Sequence, residues 1–285
     1  MRLNARTLAV VLAALIGSAA LVAAFIEKQN LGRFHYDLSP ADPKLPSLAR
    51  EHGYIVHELD VAPGARLRGI IRSSRSAKDP FVLFFPGNAA EQLAVSLPIL
   101  EGLRADGPTG LAMFANRGFD GSTGRPSVEA APADALAQVD YLGRKLSVSP
   151  SRLVLVGYSM GSGTALRLAT ELAVDSRPPA AVILLSPYWT LGLTRAGALG
   201  PLRSTETYVV EDVIARVTFP LLVVAGALDD ALPLELHAHV LMRALGSRAQ
   251  YWELPGANHH DYLGDTALLQ RIAAFASSHV QPHVP

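Results

Sequence analysis

The chain has 285 residues, 49% of them hydrophobic and 18% charged, with 25 basic against 25 acidic side chains. That length suits one α/β domain with a large core and some chain to spare, and the balanced charge, with no basic stretch, offers no face to nucleic acid. There is no cysteine, which excludes disulfides, thiolate metal sites and a cysteine nucleophile.

Residues Leu8 to Ile26, LAVVLAALIGSAALVAAFI, carry no charge. As a helix they reach about 28 Å, near the thickness of bilayer hydrocarbon. Arg2 and Arg6 precede them, which predicts a cytoplasmic N-terminus and a body on the non-cytoplasmic side. Residues 1–30 therefore read as a single-pass transmembrane signal anchor and tether. A cleaved signal peptide is the alternative, with Ala20 or Ala24 at the cut. Residues 31–53 read as a connector, interrupted by Pro40, Pro43 and Pro46.

From Tyr54 to the end the pattern is that of an α/β domain. Tyr54 to Val61 and Ala65 to Ser73 flank Ala62-Pro63-Gly64 as an antiparallel hairpin. Pro80 to Phe85 is a continuous apolar run, as in strands buried on both faces. A helix is expected over Ala90 to Ala105, a strand over Gly110 to Ala115 and a helix over Val128 to Leu146. Further strands are expected at Arg152 to Val156, Ala181 to Leu185, Pro220 to Ala225 and Gln250 to Leu254. Helices follow the first of these at Gly163 to Leu172, the third at Pro233 to Leu245 and the last at Leu263 to His279. Strands alternating with helices predict a mostly parallel sheet covered on both faces. The 187–217 segment is long for a connection and rich in large apolar residues, so it reads as a short cap or as one helix with irregular packing.

Gly157-Tyr158-Ser159-Met160-Gly161 stands between a strand and a helix. Strand, sharp turn at a serine, helix is the G-x-S-x-G nucleophile elbow. Glycines flank the serine because the chain passes too close for a Cβ. A dinucleotide loop is the rival, but the spacing is G-x-x-x-G-x-G and no acidic residue ends the next strand. A serine hydroxyl needs a base and a group to orient that base. In this architecture they follow in the order serine, acid, histidine, at strand ends. Asp229 follows one such strand, with Asp230 as the alternative. His259 follows another, with His260 as the alternative. The oxyanion donors are expected to be the backbone N–H groups of Met160 and Asn88. Tyr158, Tyr188 and Trp189 are candidates to line the substrate site. His237 and His239 lie two apart, so on a helix they face different sides, and no H-E-x-x-H occurs. No metal is expected.

Five segments carry a resemblance: PGNAAE at 86–91, NRGFDGSTGRPS at 116–127, GYSMGSG at 157–163, GALDDALP at 226–233 and NHHD at 258–261. Together they resemble the α/β-hydrolase superfamily, and within it the membrane-anchored branch of Bem46-like and ABHD13/ABHD17-like serine hydrolases. The resemblance implies the α/β-hydrolase fold, a Ser159–Asp229–His259 triad, esterase or thioesterase activity, and no cofactor. The chain departs from the family pattern at four positions. Pro86 replaces a histidine, Asn116 a tyrosine, Asp120 a glycine and His260 an asparagine. None of these removes a catalytic group, and Arg117 reads as a loop anchor. The expected function is hydrolysis of small-molecule or lipid esters at a membrane. Two alternatives remain: a serine aminopeptidase-like enzyme using Glu206, Glu211 or Asp212 to hold an amine, and a non-catalytic, membrane-tethered binding protein.

Overall fold

The computed structural model describes residues 36, 38–104, 107, 109–127, 129–190 and 209–280. The predicted anchor at 1–30 and the middle of the predicted cap, 191–208, lie outside the described residues. So does part of the predicted connector.

The apolar runs become the inner strands of one sheet. In chain order the strands are β1 (Ile55–Ala62), β2 (Ala65–Arg72), β3 (Phe81–Phe85), β4 (Gly110–Phe114), β5 (Leu153–Tyr158), β6 (Ala181–Leu185), β7 (Leu221–Gly226) and β8 (Gln250–Leu254). Their spatial order is β1-β2-β4-β3-β5-β6-β7-β8. The β1–β2 and β2–β4 pairs are antiparallel, and every later pair is parallel. Every residue of β3 to β7 is buried, because helices cover both faces. The edge strands β1 and β8 are only partly buried.

The helices are α1 (Leu45–Glu51), α2 (Gln92–Arg104), α3 (Ala130–Leu146), α4 (Met160–Val174), α5 (Glu211–Ile214), α6 (Ala238–Leu245) and α7 (Thr266–His279). Alternate strand residues such as Val82, Phe84, Val154, Val156 and Ile183 share one core cluster with Leu45, Leu100 and Ile272 from α1, α2 and α7. Each such side chain contributes about 1.5–3 kcal/mol by leaving water. A Cβ on Gly102 would meet Leu269 Cδ1 at 2.3 Å, so glycine there lets α2 lie directly on α7.

Three predicted elements differ. The expected connector contains α1, whose Leu45 and Ala49 are fully buried. Pro46 sits in its first turn, where a missing N–H has no partner to lose. The expected helix 233–245 is two pieces: a 3₁₀ turn at Leu234–Leu236, then α6, with His237 between them at φ −128°, ψ −87°. The last helix starts at Thr266 rather than Leu263, where the Asp265 carboxylate accepts from the Leu268 N–H at 3.1 Å.

Candidate active site

The parallel strands β5, β7 and β8 all end at the same rim of the sheet. Between β5 and α4, Ser159 has φ 49° and ψ −115°. That is a left-handed conformation costing a non-glycine residue about 1–3 kcal/mol. It persists because its surroundings leave no alternative. The Ser159 N–H donates to the Leu185 carbonyl at 2.9 Å, and the Ser162 hydroxyl donates to the Ser159 carbonyl at 2.6 Å. A Cβ on Gly157 would lie 2.4 Å from the Gly161 carbonyl oxygen, and one on Gly161 would lie 2.1 Å from that of Phe85. The two glycines of the motif are therefore steric requirements, as the spacing implies.

The structure brings Ser159, His259 and Asp229 together. His259 Nε2 lies 3.1 Å from Ser159 Oγ, and His259 Nδ1 lies 2.7 Å from Asp229 Oδ2. Asp229 and His259 are each only 5% exposed, whereas Asp230 and His260 face solvent. Burial alone would raise the Asp229 pKa. The hydrogen bond and charge of His259, the Leu232 N–H at 2.7 Å and the Ser186 hydroxyl at 3.0 Å outweigh it and hold the carboxyl below its ordinary value. Asp229 thus stays ionised and fixes the imidazole with the proton on Nδ1, leaving Nε2 as the acceptor facing the serine.

The loop after β3 lies against the elbow. A Cβ on Gly87 would come within 3.0 Å of the Tyr158 ring and 3.3 Å of Ser159 Cβ. Asn88 follows directly in that loop. Met160 is the first residue of α4, so its N–H has no intrahelical acceptor. The helix N-terminus there carries partial positive charge.

Of the three predicted lining residues, Tyr158 is buried, with its hydroxyl 2.5 Å from His260 Nδ1 and donating to the His259 carbonyl at 3.3 Å. Its ring supports the histidine loop from beneath. Tyr188 is buried against α4, where a Cβ on Gly163 would collide with its hydroxyl. Trp189 is partly exposed and its backbone N–H donates to His237 Nδ1 at 3.2 Å. Thr190 pairs with Val209 in an isolated antiparallel bridge. Arg117 makes a bidentate pair with the poorly exposed Asp134 at 2.8 and 2.6 Å, a loop anchor as expected.

The supporting roles of four residues escaped the sequence reading, which names two of them, Asp120 and His237, for other reasons. Ser186, at φ 43°, donates to Asp229. Asp120 occupies the position where the family pattern has glycine, and its φ of 49° shows why glycine suits it. The aspartate also does what glycine cannot: its Oδ2 accepts from the Leu93 N–H at 2.7 Å. Gln92 is fully buried at the start of α2. His237 is fully buried, with no hydrogen-bond partner at Nε2, and burial pushes its pKa down to about 4. His239 faces two carboxylates, Glu235 at 3.1 Å and Glu253 at 2.9 Å, and those hydrogen bonds raise its pKa. Among the described residues no cluster of three or more histidines and carboxylates is placed to hold a metal ion.

Comparison with known proteins agrees with this architecture. Residues 82–212 match the model of the alpha/beta hydrolase family. The uncharacterized protein Rv2307c of Mycobacterium tuberculosis is 32% identical over 280 residues, 93% of this chain and 93% of that protein. The alpha/beta hydrolase domain-containing protein WAV2 of Arabidopsis thaliana is 25% identical over 274 residues, covering 86% and 85%. Among solved structures, the Pyrococcus furiosus esterase Pf2001 superposes with a TM-score of 0.71 at 18% identity, over 87% of this chain and all of that one. The chain belongs to the α/β-hydrolase family.

Proposed function

We propose that the chain is a serine hydrolase that cleaves carboxylic esters or thioesters, including those of lipid or acyl-chain substrates, through an acyl-enzyme. The observation that carries this reading is the unbroken relay Asp229–His259–Ser159, with contacts of 2.7 and 3.1 Å on a strained serine. His259 Nε2 takes the Ser159 proton as Oγ attacks the acyl carbon. The resulting oxyanion is held by the N–H groups of Met160 and Asn88, each worth about 3 kcal/mol to the transition state. His259 then gives the proton to the departing alcohol or thiol, leaving the acyl group on Ser159. Water, deprotonated by the same imidazole, releases the acid and restores the serine. Asp229 stays charged throughout and stabilises the imidazolium. The esterase named above supports esters over peptides as the substrate class.

Replacing Ser159 with alanine tests this. Turnover of p-nitrophenyl acetate and labelling by a fluorophosphonate probe are both expected to vanish. Labelling that persists in Ser159→Ala would remove the assignment.

We also infer that residues 1–30 hold the enzyme at a membrane with its catalytic domain on the non-cytoplasmic side. The uncharged run Leu8–Ile26 and the preceding Arg2 and Arg6 support this. Among the described residues no helix is long and apolar enough to cross a membrane, so the inference rests on the N-terminal sequence.

A further inference from the structure

Gln92 sits where a side chain can govern the geometry of the loop after β3. It is the first residue of α2 and fully buried. Its Nε2 donates to the Gly87 carbonyl at 2.7 Å. Its Oε1 accepts from the Asn116 N–H at 2.9 Å and from Asn116 Nδ2 at 3.4 Å, just beyond the end of β4. One amide side chain therefore ties the loop to the sheet from both of its ends.

The arm itself is anchored on both sides. The Glu91 N–H donates to Ser39 Oγ at 3.2 Å and the Leu93 N–H donates to Asp120 Oδ2 at 2.7 Å. Ser39 Oγ also accepts from the Asp120 N–H at 3.0 Å. The residues before and after Gln92 are thus held by a small network that reaches back to the segment before α1.

The consequence follows from peptide planarity. In a trans peptide the C=O of one residue and the N–H of the next point in opposite directions within one plane. Fixing the Gly87 carbonyl therefore fixes the Asn88 N–H, turned away from Gln92. Gly87 lies beside Ser159, and glycine puts no steric barrier of its own against rotation of that peptide. Something else must hold the plane, and the Gln92 amide is in contact with it.

We propose that Gln92 is a positioning residue for the oxyanion site: it orients the Gly87–Asn88 peptide so that the Asn88 N–H faces the oxygen of the carbonyl attacked by Ser159. The inference rests on the serine-hydrolase reading above and adds to it the group that sets one of the two donors.

The test uses the full chain with p-nitrophenyl acetate as the probe and three variants: Ser159→Ala, Gln92→Met and Gln92→Glu. Met fills the volume without either hydrogen bond. Its kcat is expected to fall about 10²-fold, the scale of losing one oxyanion donor, with KM within about twofold of the parent, since the interaction exists only in the transition state. Glu keeps the acceptor for Asn116, but when ionised it cannot donate to Gly87. Burial raises its pKa, and its protonated form regains a donor. The kcat of Gln92→Glu relative to the parent is therefore expected to recover as pH falls from 8 toward 5.5. All measurements are made where circular dichroism shows the variants folded.

If Ser159→Ala still turns over the ester, the serine-hydrolase reading fails and this one falls with it. If Ser159→Ala is inactive while the Gln92 variants keep the parental kcat, or lose activity only through KM, the positioning role is wrong and the hydrolase reading stands. A Gln92→Glu deficit that stays constant across pH also overturns it. Should Gln92→Met not fold, the pH series on Gln92→Glu decides alone. If neither folds, Gln92 is structural and the proposal falls.

Discussion

His237 is enclosed beside the relay with its Nδ1 taking the Trp189 N–H and its pKa pushed to about 4 by burial and by His259, against the pull of Asp229. An exposed histidine in the unfolded chain titrates near 6.5. Between those two values the unfolded chain holds a proton that the folded chain refuses. Stability from this residue is full above about pH 6.5 and declines as pH drops toward 4, by at most about 3 kcal/mol at 1.36 kcal/mol per unit. His237→Asn keeps an acceptor for Trp189 and removes the titration. Its melting temperature is expected to fall less than the parent's between pH 7.5 and 5, by several degrees. Equal slopes would show that His237 does not carry this sensitivity. At this scale the sequence was informative about the residues of the proposed relay and silent about their supports. Ser159, Asp229 and His259 stand at strand ends in a fixed order, which a pattern reveals. Gln92 and Ser186 act through hydrogen bonds set by the fold, and nothing in their residue type or spacing marks them; Asp120 stands out only as a departure from the family pattern, which does not reveal its bond to the Leu93 N–H.

The turn between β5 and α4 packs backbone against backbone. A methyl group at Gly161 would press on the Phe85 and Pro86 carbonyl oxygens at 2.1 and 2.8 Å, and no side-chain rotation relieves that. Gly161→Ala is expected to cost more than the usual 1–3 kcal/mol of overpacking. It is also expected to displace the loop bearing Asn88. Thermal melting together with fluorophosphonate labelling checks both effects. A variant that melts and labels like the parent would mean that the turn yields. The inner strands were legible because burial on both faces demands unbroken apolar runs. α1 was not, because prolines that break a helix interior are harmless in its first turn. The interruption at His237 was not either, because the apolar positions on its two sides stay in helical phase while the backbone does not.

Alternating strands and helices implied a parallel sheet, but not its order. β4 inserts between β2 and β3, a non-local pairing that no local pattern encodes. The proposed membrane attachment belongs to this scale too. Every group of the proposed relay lies within the described fold, so the N-terminal run is expected to set location rather than chemistry. The full-length chain should stay with membranes through an alkaline carbonate wash. Release, with an intact mass lacking about the first 20–24 residues, would indicate a cleaved signal instead. The two loops that carry Asp229 and His259 are stitched to each other: the Ala227 N–H donates to the Leu254 carbonyl at 3.0 Å, the Leu228 N–H donates to the Ala257 carbonyl at 2.8 Å, and Gly226 leaves no room for a side chain beneath Ala257 and Asn258. Asp229 and His259 therefore travel as one jaw. In the proposed mechanism the carboxylate–imidazole couple is therefore expected to stay assembled between turnovers.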